Sequence, residues 1–168
     1  MRWSKVRKLV EDSFAPSVRG RVRLFSTHYS CSCGYGSIVV DGTELTTFDT
    51  RLHYHDVTWV SDEDHPGWAK KIVPPIRVEE RRRYPISVPR EFSRFDFNGA
   101  CWRLIHMNPH AALRDPDPLV ATLAVLNEKV GVTRLRALRD EQLHPLVRWA
   151  VEFRLDAERA AKVASVPA

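Results

Sequence analysis

The chain has 168 residues, 43% hydrophobic and 28% charged. Those proportions support a packed core and exclude general disorder. No apolar run approaches the roughly 20 residues that cross a bilayer. The N-terminal MRWSKVRKLVEDS carries acidic residues and has no apolar centre, so it does not read as a secretory signal. A cytoplasmic protein with no membrane partner is expected.

Formal net charge is +5, with a pI near 9.4. This permits a nucleic-acid or acidic-protein partner. It does not establish one, because Arg supplies 20 of the 26 basic residues, a bias that a GC-rich genome also produces. Cys31, Cys33 and Cys101 are an odd set, and nothing points to secretion, so no disulfide is expected.

Residues Arg2 to Asp12 read as an amphipathic helix with Trp3, Val6, Leu9 and Val10 on one face. Pro16 and Gly20 close it. A β region follows. Val22–Ser30 alternates loosely, and Ser37–Val40 leads into Asp41-Gly42, the strongest short-range hairpin signal. Thr43–Tyr54 is the predicted return strand, with Val40 opposite Thr43.

That hairpin tests a tempting zinc cluster of His28, Cys31, Cys33, His53 and His55. Without a bulge, Cys31 faces Leu52 and Cys33 faces Thr50. The cysteines then share an apolar face with Tyr35, Val39, Phe48, Leu52 and Tyr54. His53 and His55 lie on the other face with Thr47, Asp49 and Arg51. The two sets point apart, and a zinc site would need a break near Gly34 and Gly36. No metal and no cofactor is expected. The alternative site is His28, His53 and His55 on the polar face.

Val57–Glu91 is irregular, with five prolines among charged residues. Its Glu79-Glu80-Arg81-Arg82-Arg83 block reads as a solvated surface. If nucleic acid is the partner, Arg81, Arg82 and Arg83 are the candidate phosphate contacts, with Trp59, Trp68 and Tyr84 near for stacking.

The densest apolar stretch is Ser93–Leu126. Ser93 with Asp96 forms a capping box before Phe97, Cys101, Leu104 and Ile105. Asn108-Pro109 and Asp117-Pro118 are further helix starts. Leu119, Val120, Leu123, Ala124 and Leu126 make the next stripe, which Gly131 can end in a left-handed cap. Thr133 caps a short helix through Leu138. His144-Pro145 opens the last helix, with a stripe at Leu146, Trp149, Ala150, Phe153 and Ala157 and a tail that frays after Ala161. Pro118-Leu119-Val120 is echoed by Pro145-Leu146-Val147, which predicts two packed helices with Trp149 buried between them.

RWSKVRKLVEDSFAPSVRGRV, VDGTEL and FSRFDFNGACWRL…DPLVATLAVLNEKVGVTRLRAL together resemble an uncharacterised family of small bacterial proteins known by a locus-style name taken from Shigella. The resemblance runs along most of the chain, outside Cys31–Tyr35 and the Pro-rich middle. It implies one bacterial cytosolic domain and carries no site.

No Gly-rich phosphate loop, G-x-S-x-G elbow or H-E-x-x-H is present. Cys101 and His106 do not share a helix face well, and His106, His110 and Asp115 around Pro109 read as capping. The expected fold is α+β: a small antiparallel sheet and an N-terminal helix, covered by a C-terminal layer of paired helices. One domain is expected over 1–168, with a β-rich part about 20–60, an irregular segment about 61–92 and a helical part about 93–162. The expected function is non-enzymatic binding of a protein or nucleic acid. The alternative is an enzyme, metal-dependent through His28, His53 and His55.

Overall fold

A computed structural model describes residues 1–30, 33–55, 57–61 and 69–164. Helix α1 (Trp3–Asp12) precedes three strands, β1 (Val22–His28), β2 (Gly34–Val40) and β3 (Thr43–Asp49). Then come α2 (Thr50–His55) and an antiparallel ribbon of β4 (Thr58–Ser61) and β5 (Ala69–Ile72). The helices α3 (Val78–Arg83), α4 (Arg94–His106), α5 (Pro109–Ala112), α6 (Pro118–Val125), α7 (Val132–Arg139) and α8 (Pro145–Ala164) follow. The fold is α+β, with a sheet of order β1-β2-β3. The predicted irregular segment therefore holds β5 and α3.

Asp41 and Gly42 form the predicted hairpin turn, with Val40 opposite Thr43. Their φ angles of 49° and 82° are both left-handed, the signature of a type I′ turn, whose twist suits the flanking strands. Arg21 closes over the turn with two hydrogen bonds to the Asp41 carboxylate, at 2.9 and 2.7 Å.

Beyond the turn the register departs from the bulge-free expectation. Val39 pairs with Glu44, but Ile38 pairs with Thr46, so Leu45 is an extra residue on β3. Side chains alternate with period two, so one inserted residue exchanges the faces of all that follows. Phe48 thus lies opposite Gly36, not on the face of Tyr35, and joins Ile38 and Leu24 in the core. There Phe48 stacks on Phe97 at 4.6 Å, and a Cβ on Gly36 would stand only 2.9 Å from the Phe97 ring. The strand also stops at Asp49 instead of reaching Tyr54. The Asp49 carboxylate accepts from the amides of Arg51 and Leu52, which turns the chain into α2.

α1 and α4 make the main helical contacts with the sheet, α6 packs on α4, and α8 packs on α6 and α7. In α1, Val6 and Val10 are buried, while Leu9, expected on the same face, is exposed. Glu11 reaches across and accepts from the Leu24 amide at 2.8 Å, occupying a donor on β1, an edge strand of the sheet. The caps at Ser93, Asn108 and Asp117 all form. α6 is buried on every side from Leu119 to Val125, not along a stripe. The echoed helices α6 and α8 do pair, but through Leu146, Val147, Ala150, Val151 and Arg154. Trp149 is only half-buried and stacks on Phe153 at 5.1 Å, so the predicted core position is an edge position. Gly131 does not take a left-handed cap. Its φ of −76° makes it the residue that starts α7. The helical tail runs on to Ala164.

Candidate functional site

The histidines of the alternative metal site lie on two elements. His28 ends β1 and is exposed, and His55 ends α2 and is exposed. His53 is buried in α2. A carbonyl only accepts, so its Nδ1–H donates to Arg90 O at 2.9 Å, and Nε2 stands 3.9 Å from Asp96 Oδ2. Among the described residues no group of three or more His, Cys, Asp or Glu side chains is set to hold a metal ion. Cys31 lies outside the described residues. Cys33 is disulfide-bonded, contrary to the expectation of thiols throughout. Cys101 is a free thiol that burial pushes well above its ordinary range, which disfavours the thiolate a nucleophile needs. His106 packs on the Trp102 ring. His110 accepts from Arg134 at 2.9 Å, and Asp115 takes Arg103.

The Arg81-Arg82-Arg83 block splits. Arg81 forks onto Glu91, with bonds of 2.6 and 3.2 Å. Glu91 also accepts from Val88 N–H at 3.0 Å and pairs with His144 Nε2 at 2.9 Å. Burial alone would push the Glu91 carboxyl up, but the bonds from His144, Arg81 and Val88 outweigh it and hold it at about 2. The amide of Leu146 approaches His144 Nδ1 at 3.2 Å, so Nδ1 must accept and Nε2 donates to Glu91. Both ring nitrogens are spent on fixing the start of α8, and neither can take a proton from a nucleophile. Arg90 is bound to Glu80 in the same way, and that bond together with the Arg77 amide holds Glu80 at about 2. Arg82 and Arg83 remain exposed, with Arg83 over the Tyr84 ring. Trp68 lies outside the described residues.

The structure sets apart a third arginine group, on α7. Its eight residues, VTRLRALR, include three arginines and no acid. Only Leu135 and Leu138 are buried, and Arg134, Arg136 and Arg139 are exposed. Among the described residues Arg136 and Arg139 form no ion pair, and the bond of Arg134 goes to His110. Two grooves flank the helix. One, of about 420 Å³, separates Thr133, Arg134 and Ala137 from His110 and Arg114 beside α5. The other, of about 230 Å³, separates Arg136 and Arg139 from Arg159 and Lys162 of α8. The sequence signal was available: a positive run without interleaved carboxylates. The denser Glu-Glu-Arg-Arg-Arg block masked it.

The model of the SF0329 protein family matches residues 2–155. The chain belongs to that family. No curated protein and no solved structure matches it. The SF0329 match takes in all of α7 and ends within α8, before Arg159 and Lys162. No helix among the described residues of this SF0329 protein is long and apolar enough to cross a membrane.

Proposed function

We propose that this SF0329 protein is a non-enzymatic binding protein of the bacterial cytoplasm whose partner is nucleic acid, held through the α7 face. The observation that carries the reading is the set of exposed α7 arginines, two of which have no counter-charge among the described residues. Such cations are stabilised by displacing condensed counterions from a phosphate backbone. The alternative, a metal-dependent enzyme on His28, His53 and His55, draws less support. One of its three residues is buried with a ring nitrogen given to a backbone carbonyl, and the other two stand exposed on separate elements.

The test is fluorescence anisotropy with a labelled duplex of about 20 base pairs, at about 50 mM and about 200 mM salt. Binding that weakens steeply with salt is expected, and the triple variant Arg134→Gln/Arg136→Gln/Arg139→Gln should lose it. The pair Arg82→Gln/Arg83→Gln is the comparison arm. A loss confined to that pair would move the site to α3. No binding of any nucleic acid at low salt would remove the reading and leave a protein partner in its place.

A further inference from the structure

The two grooves beside α7 give the binding face a shape as well as a charge. α7 is a ridge, exposed at five of its eight residues. Eight residues make a helix about 12 Å long, and a helix with its side chains is about 10–12 Å across. The major groove of B-form DNA is about 12 Å wide and 8.5 Å deep, enough to admit one helix. The major groove of A-form duplexes is too narrow for side chains to read. The walls beyond the two grooves also carry basic side chains, Arg114 on one side, paired with Glu141, and Arg159 and Lys162 on the other, with Arg159 paired to Asp156. Most of the carboxylates there are already committed. Glu158 accepts from Ser17 and Arg154, Glu141 from Arg114, and Asp156 from Arg159. Asp140, at the C-cap of α7, and Glu158 line the α8-side groove together with Arg136 and Arg139.

We propose that α7 seats in the major groove of duplex DNA, with Arg136 and Arg139 directed at the groove and the basic side chains of the α5 and α8 sides, Arg114, Arg159 and Lys162, near the flanking phosphates. The inference rests on the nucleic-acid reading above and adds the form of the ligand and the mode of entry. Each arginine that contacts a phosphate contributes about 0.9 to the salt slope, whereas one that reads a base edge changes sequence preference instead. The ridge geometry also makes shape matter independently of charge. Ala137 is exposed on the flank of α7, so a large side chain there obstructs entry without touching the core.

Binding of the full chain is compared on duplex DNA, duplex RNA of the same sequence and single-stranded DNA, together with Ala137→Trp and with competition by methyl green, a major-groove dye, and netropsin, a minor-groove drug. The expected result is a preference for duplex DNA of about tenfold or more, a comparable loss for Ala137→Trp, and competition by methyl green alone. A circular dichroism spectrum and melting curve confirm that Ala137→Trp is folded. Equal binding of all three probes, or an Ala137→Trp variant that binds as well as the parent, overturns groove entry while the nucleic-acid reading stands. Competition by netropsin alone overturns it in favour of the minor groove. Binding of no probe removes the underlying reading as well.

Discussion

α3 and α7 each carry three arginines on one short helix, and their surroundings differ at every step. In α3 the arginines follow two glutamates, and a third, Glu91, waits ten residues on. Arg81 is drawn into that carboxylate, and Glu80 of the same helix holds Arg90. In α7 no acid lies within the helix, and the leucines between the arginines are its only buried side chains. The difference teaches how a charge run is to be read. Density matters less than whether carboxylates of the same fold reach it first.

Removing the carboxylate at the centre of the α3 cluster has the largest expected effect. Glu91→Ala leaves Arg81 and His144 without their shared partner and frees the Val88 amide. The expected cost is about 3–5 kcal/mol, read from urea unfolding. An unchanged midpoint would show that α3 is no better anchored than α7. Arg81→Gln removes one arm and keeps the carboxylate bonded to His144 and Val88. It should cost about 1–3 kcal/mol in the same assay, and a value near zero would place Arg81 with its exposed neighbours.

The same cluster sets a pH dependence. Glu91 and Glu80 both titrate at about 2 when folded, below their ordinary 4.5. A depressed carboxyl stabilises the fold above its unfolded pKa, and that contribution is lost as pH falls toward the folded value. Stability should therefore decline between about pH 4.5 and about pH 2. Glu91→Gln should flatten that decline, which melting curves across the window would detect. The smallest effect belongs to α7. Arg136→Gln and Arg139→Gln should each change stability by no more than about 0.5 kcal/mol, since neither side chain has an ion-pair partner among the described residues. A larger loss in either variant would mean that α7 is held by its charges, and would end the contrast with α3.

Features written in neighbouring residues were legible in the sequence. Asp41-Gly42 specifies a left-handed two-residue turn, and Ser93 with Asp96, Asn108 with Pro109 and Asp117 with Pro118 specify helix starts, because each acts within four residues. Features decided by distant partners were not. Leu45 carries no bulge signature. The slip places Phe48 against Phe97, which lies on α4, well beyond the neighbouring residues. Asp49 could as well have continued the strand as capped α2. Trp149 fits the helical period of the α8 stripe, yet the buried set is rotated toward Val147, Val151 and Arg154. In the candidate site the arginines of α7 were visible, but their lack of counter-charge is a property of the folded surface.

Arg154 is buried, and its Nη1 lies 3.2 to 3.3 Å from the carbonyls of Val125, Leu126 and Asn127, while its Nε holds Glu158. Val125 O is among the last carbonyls of α6, which have no donor within the helix, and Leu126 O also accepts from the Ala15 amide at 2.9 Å. Arg154 thus ties α8 to the end of α6, although α7 stands between them in the chain. Hydrogen exchange is expected to find the amides of α6 and α8 protected to similar extents. α7 also packs on α8, with Leu135 and Leu138 as its buried side chains.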